Sequence, residues 1–428
     1  MGRQSSGSGP VSSAQRSPAP PAGALSHVRV LDLSRVLAGP WAGQTLGDMG
    51  ADVIKIEHPA RGDDTRGWGP PFITKADGSE GDASYYTAAN RNKRSVGIDF
   101  SSEAGAALVR GLAKKADVII ENYKLGGLKK YGLDYESVRE TNPGVIYCSI
   151  TGFGQDGPYA ARAGYDFIIQ GMSGLMSITG QPDGTPGGEP MKVGVAVCDV
   201  FGGLYATTAI LTALLHRERT GEGQHIDCAL LETQIAALAN QAASYLTAGV
   251  VAERMGNKHP TVVPYRVFAV SDGHLIVAVG NDSQFAKLCD AIGARDLKAD
   301  PRYTTNAQRI RNRDTLEPAL EAIFSRWTRD DLIAALEKVQ VPCGPINTIG
   351  EIFNDPHVAA RELVAKQTRP DGTQIAMVRY PVKLSATPAS ARIAPPSLGA
   401  DTHDVLASEL GLSQDEIAAL QEKGIISR

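Results

Sequence analysis

Residues 27–59, HVRVLDLSRVLAGPWAGQTLGDMGADVIKIEHP, decide the fold class. Residues 28–33 read as a buried strand, Pro40 suits the first turn of a helix, and the glycines at 47 and 50 end that helix. Residues 51–57 then make a second strand. Strand, helix and strand in this order form a βαβ unit, the seed of a doubly wound parallel sheet. The alternation continues with a helix over 103–115, the strand DVIIEN (117–122), another helix and the strand GVIYCSI (144–150). The fold class is therefore α/β with a Rossmann-like large domain. Its first turn, SRVLAGP, lacks the GxGxxG dinucleotide fingerprint. Glu57 ends the second strand where a ribose-binding acid sits in that fold, but without the glycines it reads as a structural residue.

A second stretch, 164–205, carries the chemistry: GYDFIIQGMSGLMSITGQPDGTPGGEPMKVGVAVCDVFGGLY. The apolar run 193–198 reads as a buried strand that delivers Asp199 to the glycine pair Gly202 and Gly203. Buried strands rarely keep an ionisable group, which makes Asp199 a candidate for catalysis. The blander reading is a helix N-cap, a position that favours Asp.

Composition narrows the classes. The chain has 428 residues, with 42% hydrophobic and 21% charged side chains, ordinary values for a globular protein of two or three domains. A net charge of −4 gives no reason to expect nucleic acid or an anionic membrane as partner. No window holds the roughly 18 uncharged apolar residues of a membrane span. Five cysteines, at 148, 198, 228, 289 and 343, include no CxxC pair, so no metal or dithiol site is expected. Scattered single thiols fit a reducing, cytoplasmic setting. Residues 1–24 are rich in Ser, Pro, Gly and Ala, lack the apolar core of a secretory signal, and are expected to be a disordered tail.

The texture changes near 225. Residues 25–224 are assigned to the large domain, 225–335 to a smaller inserted α+β domain, and 336–428 to a C-terminal segment that returns to the large one. Two further motifs need weighing. Arg91, Lys93 and Arg94 in NRNKRS precede a strand, and they read either as a solvated face or as an anion-facing loop. Gly152, Gly154 and Gly157 in GFGQDG match GxGxxG after a strand, but no acid ends a following strand about 20 residues on. They read as a turn that lets backbone approach a ligand or another chain.

Several windows resemble the class III CoA-transferase family, which includes carnitine and formate/oxalate CoA-transferases and α-methylacyl-CoA racemases. They are RVLAGP, GADVIKIE, GDDTR, NRNKRS, ENYKLG, GFGQDGP, CDVFGGLYA, TGEGQHID and GPIN, spread over nearly the whole chain from Val28. GDDTRGWGPPF, YCSITGFGQDGP, RAGYD and SGLMSITG are most similar to the succinate–hydroxymethylglutarate type. The resemblance implies a catalytic aspartate at Asp199, 33 residues beyond Asp166. Racemases carry His before the GYD-type Asp, where this chain has Tyr165; without a group that titrates near neutrality, transferase is favoured over racemase.

The resemblance further implies that CoA esters serve as substrates, with no permanently bound cofactor and no metal. CoA contacts would fall on Arg35, Leu37, Ala38, His58, Ile98, Ser101, Asn122, Tyr123, Lys124, Lys130 and Tyr165. His58 stands where the family commonly has Arg, and Lys124 and Lys130 read equally well as surface lysines. The short segment RMGNKHPTVVPY lacks the glycine run of the formyl-CoA type, which disfavours formate/oxalate exchange. A dicarboxylate such as succinate, glutarate or hydroxymethylglutarate needs a cation for its distal carboxylate. Arg66 in GDDTRGW is the candidate, with a structural ion pair as its alternative. The partners expected are an acyl-CoA, a carboxylic acid and a second copy of the chain in an interlaced homodimer. A nicotinamide oxidoreductase resting on GFGQDG, and a CoA-binding protein without activity, are the weaker readings.

Overall fold

The computed structural model describes residues 23–427. The expected tail, 1–24, lies outside them except for its last two positions. Eight strands come first in the chain: β1 Arg29–Asp32, β2 Asp52–Glu57, β3 Phe72–Thr74, β4 Glu80–Ala83, β5 Lys93–Gly97, β6 Val118–Glu121, β7 Ile146–Thr151 and β8 Gln224–Ala229. Six of them form one parallel sheet in the order β5-β2-β1-β6-β7-β8, while β3 and β4 pair apart as a hairpin.

Alternation along each strand serves two faces. Val30, Val53, Ile120 and Cys148 pack against the helices Ala38–Asp48 and Val197–Thr220. Leu31, Ile54, Ile119 and Tyr147 pack against Glu103–Ala113 and Thr402–Leu410. Both faces are covered, as a parallel sheet requires. The strand order turns back between β1 and β6, and in open α/β sheets ligands dock at the carboxyl ends beside such a switch point.

The second unit is antiparallel. Strands β9 Tyr265–Val270, β10 Gly273–Ala278 and β11 Cys343–Pro345 pair in the order β11-β10-β9 beside the helices Asp282–Ala291, Arg313–Phe324 and Arg329–Lys338. The boundaries expected from sequence need correction. The one at 224/225 falls within β8, which hydrogen-bonds to β7 in the large sheet, and the one at 335/336 cuts the Arg329–Lys338 helix. The chain then returns to the first unit. Arg392 donates to the carbonyls of Gly47, Gly50 and Ala51, Ser95 N donates to Asp401, and Ile426 bridges to Ile98.

The run 193–198 is not a strand. Residues 193–196 are irregular, Val195 is 61% exposed, and Val197 already begins the long helix. That helix is long and apolar enough to cross a membrane by length and composition alone. One side of it, including Ala206, Ile210 and Ala213, is buried against the sheet. Its N-terminal end meets the Ala38–Asp48 helix at Gly203, where a Cβ would come within 2.7 Å of the Ala38 carbonyl. At Gly202 a Cβ would come within 2.3 Å of Leu230. The glycine pair therefore serves helix packing.

The basic cluster is neither solvated nor anion-facing. Arg91 pairs with Asp48, Lys93 with Asp32 and Arg94 with Asp52, and the first two pairs are buried. Lys55, fully buried, pairs with Asp63 at 2.9 Å and donates to the Ser34 carbonyl. Asp63 also accepts from Val36 N, a β-branched residue held at φ 72° in the turn after β1. A conformation of that kind costs on the order of 1–3 kcal/mol and persists only where its surroundings enforce it. Asp63→Asn leaves the Lys55 charge without its partner and is expected to lower stability by about 3–5 kcal/mol in urea unfolding. A loss under about 1 kcal/mol would show that this pair does not hold the turn.

Candidate active site

A cavity of about 400 Å³ opens at the switch point. One wall is the turn after β1, residues 35–38; another is the turn after β6, residues 122–125. The end of β7 with Gly152, the segment 160–165, Leu230 and Asp199 complete it. Asn122 joins the first two walls by accepting from Arg35 N and donating to the Arg35 carbonyl. Gly152 and Gly164 touch backbone to backbone, since a Cβ on either would lie 2.6 Å from the other's Cα. The GFGQDG turn thus approaches another stretch of the same chain, the one that carries Arg162 and Tyr165.

Asp199 is the third residue of the Val197–Thr220 helix and is 9% exposed. It is therefore not an N-cap; that position is Ala196. Burial first, and the Asp166 carboxylate second, push the Asp199 carboxyl up to about 7. A helix N-terminus favours the charged form by up to about 2 kcal/mol, and here it is outweighed. Tyr85, half-buried, packs edge-on against Trp68 with ring centroids 5.4 Å apart. Its phenol is pushed up by burial and then by Asp199 and Asp166.

The sequence-predicted residues divide into two sets. Arg35, Leu37, Ala38, Asn122, Tyr123, Lys124, Tyr165 and Asp199 all line the cavity. His58, Ile98, Ser101, Lys130 and Arg66 do not. His58 follows β2 and accepts from Ala60 N, and Ser101 donates to Asp99. The Ile98 side chain is core, 1% exposed. Lys130 lies over the Tyr131 ring, and an edge-to-face row of Tyr123, Phe100 and Tyr131 leads from the cavity toward it.

Arg66 is the clearest correction. It is buried, and it donates to both oxygens of Glu57, to Asp82, to the Tyr86 hydroxyl and to the Pro396 carbonyl. A guanidinium spent on four partners has no free edge for a substrate carboxylate. Glu57, which also accepts from Ser95, is structural as the sequence suggested. Sequence reasoning missed Arg162, Tyr85 and Gln170. Arg162 sits on the cavity wall beside the Tyr159 ring, with no carboxylate partner among the described residues. The window RAGYD contained it; nothing local marked the other two.

Comparison with known proteins agrees with this geometry. The profile of CoA-transferase family III matches residues 25–402. The chain belongs to that family. The succinate–glutarate CoA-transferase of Agrobacterium fabrum is 54% identical over 383 residues, covering 90% of this chain and 95% of that one. The mouse succinyl-CoA:glutarate CoA-transferase is 41% identical over 404 residues, covering 94% and 90%. A crystal structure of a CaiB/BaiF family protein from Brucella suis superposes with a TM-score of 0.81 at 50% identity, covering 91% of this chain and all of that one. The parallel sheet with its antiparallel companions is therefore the architecture of a family III enzyme.

Two outcomes follow from the charges at this site. The raised Asp199 carboxyl makes the folded state bind more protons than the unfolded one between about pH 4 and about 7, so stability falls as pH rises through that window. Asp199→Asn is expected to raise the melting temperature by a few degrees at pH 8 and to change it little at pH 4. Equal melting temperatures at pH 8 would contradict the burial argument. Arg66→Met, in contrast, strands Glu57 and is expected to cost about 3–5 kcal/mol. If its effect were confined to the KM of the acceptor acid, Arg66 would be a substrate ligand after all.

Proposed function

We propose that this enzyme moves CoA from succinyl-CoA to a dicarboxylate acceptor of the glutarate class, with Asp199 as the nucleophile. The observation that carries the reading is a buried carboxyl, with no cationic partner among the described residues, lining a switch-point cavity whose walls also hold Arg35 and Lys124. Those cations suit the phosphates of CoA, the largest charges in the ligand. The names of the Agrobacterium and mouse relatives support the donor and acceptor class.

The chemistry runs through four acyl transfers. The Asp199 carboxylate attacks the succinyl carbonyl, and CoA leaves as a thiolate, giving a mixed anhydride. The thiolate attacks the aspartyl carbonyl and expels succinate, giving an aspartyl-CoA thioester. The acceptor carboxylate attacks that thioester, again releasing thiolate and forming a second anhydride. Thiolate then attacks the acceptor's acyl carbonyl, and Asp199 leaves as a free carboxylate with the new acyl-CoA. Water would destroy each intermediate, and burial of Asp199 keeps it scarce.

The site is proposed to be completed by a second copy of the chain in an interlaced homodimer. The helix Ala239–Ala248 has no buried residue, although Leu246 is 80% and Tyr245 58% exposed. Apolar faces of this kind are normally covered.

The reading is tested by incubating succinyl-CoA with a panel of mono- and dicarboxylic acids, using wild type and Asp199→Ala. New acyl-CoA is expected from glutarate-like acids and is abolished by the substitution, with kcat/KM rising as pH passes through about 7. Epimerisation of a 2-methylacyl-CoA without transfer to any acid would place the enzyme in the racemase branch instead.

A further inference from the structure

The helix that carries Asp199 starts without a cap of its own. Ala196 occupies the N-cap position and offers no side-chain acceptor, so the first N–H groups of the helix need partners from elsewhere. Cys198 N finds one in Asp166 Oδ1 at 2.8 Å, from a residue 32 positions earlier. The other oxygen, Oδ2, accepts from Gln170 Nε2 at 2.7 Å. Asp166 and Gln170 lie four apart on the helix Asp166–Met172 and so share one face.

Gln170 is fully buried and uses both ends of its amide. While Nε2 holds Asp166 and reaches the Val195 carbonyl at 3.4 Å, Oε1 accepts from Val193 N at 2.8 Å. Residues 193–198 are thereby fastened at both ends by one pair of side chains, and Asp199 is the next residue. The segment between contains Gly194 and the exposed Val195, which provide little other anchorage.

We infer that Asp166 and Gln170 are a positioning pair: they fix the first turn of the Asp199 helix, and so the aim of the Asp199 carboxyl, by a cap supplied from outside the helix. The inference rests on Asp199 being the nucleophile. Asp166 acts in a second way, because its negative charge faces Asp199. Tyr85, on the Ser84–Thr87 helix, is near enough to feel both charges, and Arg35, Lys124, Arg162 and Tyr165 stand on the cavity walls. An acidic cap thus orients the nucleophile and also raises its affinity for a proton.

Hydrogen-bond polarity supplies a test. In Asp166→Asn, the amide can still offer an oxygen to Cys198 N, but its NH₂ then meets the NH₂ of Gln170. In Gln170→Glu, two carboxylates oppose each other. The double variant Asp166→Asn/Gln170→Glu restores a donor facing an acceptor, keeps an acceptor for Val193 N, and moves the negative charge one residue contact away from Asp199.

Each single variant is expected to lower kcat about 10- to 100-fold with the KM for succinyl-CoA changed by less than about threefold, and the double variant to recover most of that loss. In the double variant the acidic limb of kcat/KM is expected to move down by about one pH unit. A double variant no better than the product of the singles, or an acidic limb that stays in place, would overturn the inference. Mass analysis of wild type for a CoA adduct on the Asp199 peptide is run in parallel. An adduct with failed rescue rejects the pair alone, whereas no adduct rejects the nucleophile itself.

Discussion

Four charges buried beneath one turn hold the switch point in shape. Asp32 and Lys93 at 2.8 Å, and Lys55 and Asp63 at 2.9 Å, are all withdrawn from solvent between β1, β2 and β5. Lys93 donates to the Pro40 carbonyl, Lys55 to the Ser34 carbonyl, and Asp63 accepts from Val36 N, so the network grips the turn on both sides. Burial alone would push the Asp63 carboxyl up; Lys55 and the Thr65 N–H more than offset it and hold it at about 2. The arrangement is costly to desolvate and worse to break, since removing one member strands another. What it secures is a strained, sharply directed loop that presents Arg35, Leu37 and Ala38 to the cavity.

The helix of Asp199 docks onto that loop. Gly203 lets it approach the Ala38 carbonyl, and this contact brings a carboxyl from residue 199 to a cavity built by residues 35–38 and 122–125. The two halves of the site use charge in opposite ways. Around the first turn, carboxylates are matched with buried cations and their proton affinity falls. At Asp199 burial meets a second carboxylate instead, and proton affinity rises toward neutrality. A carboxyl so placed is a stronger nucleophile once ionised than one held by an arginine, which is the property that acyl transfer demands.

The sheet was legible because βα alternation leaves a short continuous apolar run and glycine punctuation in every unit. Asp199 was legible through its family windows, although the local reading that first marked it was wrong. An apolar run of six residues with glycine and alanine inside fits the entry to a helix as well as a strand, and periodicity cannot separate them at that length. Charge partners were the least visible part. Arg91, Lys93 and Arg94 find their acids in elements that precede them by about 40 to 60 residues, and Arg66 finds one at Asp82 across the β3–β4 hairpin. A local window shows only a basic cluster, and pairing appears once strands are laid side by side. Gln170 was silent for the same reason: its partner Val193 comes beside it only in the folded chain.

The central claim is that Asp199 becomes covalently joined to CoA during turnover. It is tested most directly by mixing wild-type enzyme with succinyl-CoA in the absence of acceptor, quenching in acid, digesting, and weighing the peptide that contains Asp199. The account predicts a peptide heavier by CoA less one water, released by hydroxylamine as the aspartyl hydroxamate. An unmodified Asp199 peptide, with transfer still proceeding when acceptor is added, would contradict it.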